Sequence, residues 1–216
     1  MDQKNEMFMQ QTTCSRWGIF EVGIDGPKDG NPFIEQKVTG IFKGDNETVS
    51  CDGFYDGDGV YRIRFMPSFE GVYTYQIQTT FGGDCAGSFT VTAPKENAHG
   101  PVRVANTYHM AYEDGTPYYS IGTTCYVWEL QSDELIEQTF DTLKNSAFNK
   151  IRFCIFPKHY DYNLREPSFI IHMRVTPMDS SILTTENFWD YTGKTKGNHW
   201  DFTRFNPKHF QHIEKL

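Results

Sequence analysis

The chain has 216 residues, 16% of them aromatic, and a formal net charge of -8. That length suits one large or two ordinary domains, and the 38% hydrophobic content is too high for a disordered chain. An acidic balance without a Lys/Arg cluster argues against a phosphate-backbone partner, and no run of about 18 apolar residues is present to span a membrane.

Residues Met1 to Gln11 are polar and lack an apolar centre, so no secretory signal is expected and the protein is read as cytoplasmic. Residues 1–13 are expected to be extended or disordered. The five cysteines, Cys14, Cys51, Cys85, Cys125 and Cys154, are odd in number and scattered, which fits reduced thiols better than a disulfide framework. Neither a CxxC nor an HExxH spacing occurs, so no metal and no cofactor is expected.

From Arg16 to Pro94 short strands alternate with turn residues. Trp17–Ile24 reads as the first strand, Gly26–Pro32 as a dense turn, and Gln36–Phe42 as the second strand. Val49–Tyr55 is the third, turned by Asp56-Gly57-Asp58-Gly59 into Val60–Phe65. There Tyr61, Ile63 and Phe65 alternate with Arg62 and Arg64, a period of two that marks one buried face. Tyr73, Tyr75 and Ile77 share a face after the corner Pro67–Gly71. The placement of Tyr73 predicts a tyrosine corner with the hydroxyl bonded to corner backbone. Gly87–Thr92 is the last strand, with Phe89 and Val91 inward. The spacing predicts an Ig-like antiparallel β-sandwich over residues 14–95. Its acids Asp45, Glu47, Asp52, Asp56 and Asp58 are read as solvated turn formers. The Asp56-Gly57-Asp58 stretch lacks the remaining ligands of a calcium loop.

Ala93–Pro101 reads as a linker. Val102–Val104 and Tyr108–Tyr112 follow as a strand pair, Glu113–Thr116 as a turn, and Tyr118–Tyr126 as the return strand. Ser132 reads as a helix N-cap with Asp133 and Glu134 in the first turn. Ile136, Phe140, Leu143 and Ala147 make one helical stripe. Lys150–Phe156 is a nearly unbroken apolar strand of the kind covered on both faces, followed at once by Pro157-Lys158-His159-Tyr160-Asp161-Tyr162. Strand, helix and strand make a βαβ unit. Functional groups just past a strand's C-terminal end are how a (β/α) barrel builds a site. A long irregular stretch is expected from Pro157 to Thr203, and Asn206-Pro207 opens a last helix with Phe210 and Ile213 on one stripe.

Arg16-Trp17-Gly18-Ile19-Phe20-Glu21, with Asn31-Pro32-Phe33, resembles the start of the domain of unknown function numbered 5060, a sandwich found in front of barrel glycoside hydrolases. His99–Val104, Gly122–Trp128, the Lys150–Tyr162 motif and Trp200–Pro207 resemble the start of an apiosidase-like or cellulase-like barrel. The resemblance implies a mixed fold, with the sandwich followed over residues 96–216 by the first part of a (β/α)8 TIM barrel. It implies retaining glycoside hydrolysis, which uses two carboxyl groups about 5–5.5 Å apart. In the related barrels these are glutamates after strands four and seven, the first preceded by asparagine. The Asn-Glu pairs here, Asn5-Glu6 and Asn46-Glu47, lie outside the barrel segment. Neither catalytic carboxylate is therefore carried over, and both are expected beyond residue 216.

The resemblance gives Arg152 a supporting place beside the nucleophile, where a fixed positive charge keeps a carboxylate ionised. Tyr126 and Trp128 after one strand, and His159, Tyr160 and Tyr162 after the next, are the candidate substrate-binding residues, suited to stacking on sugar rings and bonding hydroxyls. Glu129, Asp161 and Asp201 are weaker hydroxyl-binding candidates, with surface solvation the favoured reading. The expected partner is a glycoside, oligosaccharide or polysaccharide. The alternatives are a non-catalytic carbohydrate-binding sandwich, or an interaction piece that self-associates through an exposed barrel edge.

Overall fold

The computed structural model describes residues 7–155, 172–174 and 200–216, with side chains for 11–155, 201 and 203–216. The chain divides into two compact units, Met1–Tyr119 and Ser120–Leu216.

The strands of the first unit begin with β1 (Met7–Gln10), β2 (Thr13–Ser15) and β3 (Phe20–Asp25). The short helix α1 (Pro32–Glu35) starts where the expected turn ends, at Pro32. Then come β4 (Val38–Lys43), β5 (Thr48–Asp52), β6 (Phe54–Gly57), β7 (Val60–Phe65), β8 (Gly71–Thr79) and β9 (Cys85–Thr92). A hairpin, β10 (Val102–Ala105) and β11 (His109–Tyr112), follows. One sheet has the order β1-β3-β7-β6 and the other β2-β9-β8-β4-β5. Their inner faces make a β-sandwich core. Phe20, Val22, Ile24, Tyr61, Ile63 and Phe65 come from the first sheet; Val38, Phe42, Tyr73, Tyr75, Ile77, Phe89 and Val91 come from the second. The period-two reading of Tyr61, Ile63 and Phe65 as inward holds. On the outer face Glu21 bridges Arg62 and Arg64, and Arg62 Nε also donates to Asp56 Oδ2 at 2.5 Å.

Several sequence expectations are corrected. The segment Val49–Tyr55 is not one strand. Gly53 divides it, so β5 pairs with β4 in one sheet while β6 pairs with β7 in the other. A Cβ at Gly53 would stand 2.7 Å from the Arg62 carbonyl oxygen and 2.9 Å from Val38 Cβ, so the crossing needs glycine. Trp17 does not start a strand. It turns through φ 61°, its N–H donates to the Pro67 carbonyl, and Arg16 stacks over its ring at 4.1 Å. Gly100, in the segment read as a free linker, closes on that ring: a Cβ there would lie 2.8 Å from Trp17.

The tyrosine corner takes a different form. Tyr73 Oη donates to Glu47 Oε1 at 2.6 Å, and the same oxygen accepts the Ser68 N–H at 2.8 Å. A carboxylate therefore bridges hydroxyl and corner, and Glu47 is not a solvated turn former. Asp56, paired with Arg62, is not one either. Burial, followed by the bond to Glu47, pushes the Tyr73 phenol upward. The hairpin β10–β11, expected to open the second domain, groups with the first unit.

The second unit holds β12 (Gly122–Thr124), a 3-10 turn (Trp128–Leu130), α2 (Asp133–Lys144), β13 (Lys150–Arg152), β14 (His172–Arg174), β15 (Trp200–Phe205) and α3 (Pro207–Lys215). Ser132 caps α2, its Oγ accepting the Leu135 N–H. Asn206 caps α3 through Oδ1 and the Lys208 N–H, with Pro207 at the first helical position. The return strand expected over Tyr118–Tyr126 shrinks to three residues. After the Glu113–Thr116 turn the chain keeps an Ala111–Pro117 bridge, a Tyr118 N–H bond to Met110 and an edge-on contact of the Tyr118 and Tyr112 rings with the hairpin. The strand expected over Lys150–Phe156 ends at Arg152, because its partner β12 offers a three-residue ladder. Phe156 lies outside the described residues. Trp200–Phe205 is a strand paired with His172–Arg174, where irregular chain was expected.

Glu47→Ala leaves the buried Tyr73 hydroxyl without its acceptor, at a cost of about 1–3 kcal/mol. Tyr73→Phe removes only the donor and leaves the half-buried Glu47 its bond from the Ser68 N–H, at a cost of about 1 kcal/mol. Urea unfolding of the two variants should rank them in that order.

Candidate functional site at the ends of a parallel strand pair

In the second unit β12 and β13 run parallel, with Gly122 opposite Lys150, Thr123 opposite Ile151 and Thr124 opposite Arg152. Asn149 fixes the register at the entry end. Its Oδ1 accepts the Ile121 N–H and its N–H donates to the Ile121 carbonyl. Two backbone bonds extend the pairing past the exit end, Cys125 N–H to the Arg152 carbonyl and Cys154 N–H to the Tyr126 carbonyl. Helix α2 is the crossover between the strands. The exit end is therefore built by a βαβ unit, and the residues expected to carry function sit on it.

Arg152 and Tyr126 are brought together there. The guanidinium carbon lies 5.5 Å from the centre of the Tyr126 ring, within cation–π range. Both side chains are exposed, Tyr126 by 37%. This leaves one ring and one fixed positive charge toward solvent. Trp128 is placed differently. Its indole meets Phe140 edge-on at 5.1 Å and Phe153 edge-on at 6.1 Å, which locks the 3-10 turn to α2 and to the segment after β13. Its buried Nε1 has no hydrogen-bond partner. His159, Tyr160, Asp161 and Tyr162 lie outside the described residues.

The most deeply buried polar groups described are Glu129, weighed in the sequence only as a weak hydroxyl binder, and His209, which the sequence did not single out. Glu129, read as surface-solvated, is 1% exposed, and both its carboxyl oxygens lack a hydrogen bond. Burial pushes its carboxyl up to about 7, against a slight downward pull from its own backbone. His209 on α3 is 0% exposed, and neither ring nitrogen makes a hydrogen bond of normal geometry. His212, one turn further, reaches the Glu129 carbonyl oxygen through Nε2 at 2.7 Å and joins α3 to the 3-10 turn. The signal available was His209 three residues before His212, inside an otherwise amphipathic helix. A histidine there reads equally well as exposed. Asp201 is engaged locally. It accepts from the Thr203 N–H and hydroxyl and pairs with Arg204 at 3.1 Å, and the Thr203 bond, foremost, holds its carboxyl low.

Among the described residues no group of three His, Cys, Asp or Glu is placed to hold a metal ion. No helix among them is long and apolar enough to cross a membrane. The described cysteines are all unpaired thiols.

Comparison with known proteins gives two likenesses that bear on the class. Residues 13–80 match the family model of a domain of unknown function, DUF5060. The whole chain is similar to a solved structure from Bacteroides vulgatus ATCC 8482 named as a "putative glycoside hydrolase", with 34% identity and a TM-score of 0.83. That similarity covers 95% of this chain and 38% of the Bacteroides protein, so the chain spans well under half of its relative's length. The filamin domain of Lin-41 is also similar, at 16% identity and a TM-score of 0.33, over 43% of this chain and 95% of that one; this carries no weight. No curated protein sequence matches.

Replacing Glu129 by Met removes a buried carboxyl that nothing satisfies and keeps its volume. The second unit should gain about 1–3 kcal/mol, read as slower amide exchange in α2 and α3 near neutral pH.

Proposed function

We propose that this chain is the N-terminal part of a carbohydrate-active glycoside hydrolase: a sandwich over residues 14–95, then the opening strands of a (β/α)8 barrel over residues 96–216. The observation that carries the reading is the parallel pair β12–β13 with α2 as its crossover, which sets Arg152 and Tyr126 at the strands' C-terminal ends. Barrel enzymes place their chemistry at that end. The likeness to the Bacteroides protein supports the same class.

In this reading hydrolysis proceeds with retention, through a carboxylate nucleophile and an acid/base carboxyl about 5–5.5 Å apart. Both come from outside residues 1–216. The burial of Glu129 is consistent with that assignment, because a carboxyl 1% exposed cannot reach a glycosidic oxygen. Arg152 keeps the neighbouring nucleophile ionised by its fixed charge. Tyr126 stacks on a sugar ring, and His159, Tyr160 and Tyr162 line the same cleft. Trp128 holds the cleft's floor through Phe140 and Phe153. The edges of β12 and β13 that no described strand covers pair with further strands of the same barrel rather than with a second copy of the chain.

The test is hydrolysis of a panel of aryl glycosides by the full-length protein and by residues 1–216 alone. The full-length protein should turn over at least one of them with retained anomeric configuration, and the shorter chain none. Arg152→Ala in the full-length protein should lower kcat by about 10²-fold or more, with an unchanged thermal midpoint. Wild-type kinetics in that variant would make Arg152 structural. Sugar binding by residues 14–95 alone, with no hydrolysis by the full-length protein, would favour a binding module instead.

A further inference from the structure

The 3-10 turn and α3 each bury an ionisable side chain that makes no hydrogen bond of normal geometry, Glu129 at 1% exposure and His209 at 0%. The elements are joined by a hydrogen bond between His212 Nε2 and the Glu129 carbonyl oxygen, one helical turn from His209. A charge on either buried group would be uncompensated, which costs far more than burying the neutral form. The packing is therefore consistent with one protonation state of the pair: a carboxylic acid and a neutral imidazole.

We infer that Glu129 and His209 act as a compensating proton pair, in which the carboxyl keeps its proton and the imidazole gives its up, so that docking of α3 on the 3-10 turn is shielded from pH changes in the mildly acidic range.

The compensation follows from proton counting. With α3 undocked and both groups in water, Glu129 titrates near 4.5 and His209 near 6.5. Between those values the undocked pair holds one proton, on the histidine. Docked, burial pushes Glu129 up to about 7. Burial and then the His212 imidazole push His209 down, against a weaker upward pull from the Ile155 carbonyl. The docked pair thus also holds one proton, on the carboxyl, from the depressed value of His209 up to 6.5. Equal proton numbers mean no slope of stability with pH.

Taken singly, the two groups act in opposite directions. Glu129, raised, contributes stability that is full below 4.5 and is lost as pH rises through about 7. His209, lowered, contributes stability that is full above 6.5 and is lost as pH falls below it. The other titratable group shown at the contact is His212 on α3, whose imidazole acts on His209 and bonds the Glu129 carbonyl oxygen. It is shared by the wild type and the variants, so its effect cancels in the comparison.

The experiment is amide hydrogen exchange of α3 in the full 216-residue chain between about pH 5 and 7.5, corrected for intrinsic rates, in wild type, Glu129→Gln and His209→Gln. Glu129→Gln should open more as pH falls below 6.5, and His209→Gln should open more as pH rises toward 7. Each slope should approach about tenfold per pH unit, and the wild-type slope should lie between them. Equal slopes in all three proteins would overturn the proposal. Should either variant lose the fold of α3, carboxyl carbon NMR of wild-type Glu129 decides. A protonated carboxyl at pH 6 upholds the pair, and an ionised one overturns it.

Discussion

The ring of Phe20 stacks on the ring of Phe89, centroids 3.7 Å apart and planes within 9° of parallel. These residues belong to different sheets, so the contact joins them face to face. Around it Phe42 stacks on Phe65 at 4.6 Å, and Tyr73 lies over Phe89 at 5.5 Å. Each such pair adds about 0.5–1.5 kcal/mol beyond simple burial. The polar features of the sandwich follow from that core. Tyr73 and Tyr61 are held inside by their rings, so their hydroxyls must find acceptors, Glu47 and the Pro27 carbonyl. Burial then drives the Tyr61 phenol up to about 12.

The second unit is arranged on another principle. Its parallel strands are three residues long and its apolar faces stay partly open, with Phe148 and Ile155 both 45% exposed. Order there comes from point contacts: the Asn149 clasp at the entry end, the capped helices, the indole between two phenylalanines, and the His212 bond. Its most buried polar groups, Glu129 and His209, are placed by those contacts, and their environment rather than their identity sets their chemistry.

Much of the sandwich was legible in the sequence, because a period of two marks an inward face wherever one side of a sheet is wet. Tyr61, Ile63, Phe65, Tyr73, Tyr75, Ile77, Phe89 and Val91 were all placed correctly by that pattern. The caps at Ser132 and Asn206 were legible for a different reason, since a cap is a local bond between neighbours in the chain. The switch of sheet at Gly53 was not, because glycine in a strand is equally a bulge, a bend or a close approach, and only Val38 and the Arg62 carbonyl decide which. Glu47 and Glu129 were misread for one reason. Each is a carboxylate in a turn, and each is engaged by chain distant in sequence, Glu47 by Tyr73 and Ser68 and the Glu129 backbone by His212.

The strand β9 bears on where this sandwich ends as a physical object. The family match stops at residue 80, inside the turn after β8, while β9 spans Cys85–Thr92 and lies between β2 and β8 in its sheet. A segment cut at the limits of sequence similarity would remove the ring stacked on Phe20, leaving it the edges of Phe42 and Tyr75, and strip β2 of the parallel neighbour it pairs with. The unit that must fold together is therefore longer than the stretch that similarity marks out, and β9 is the strand that seals it.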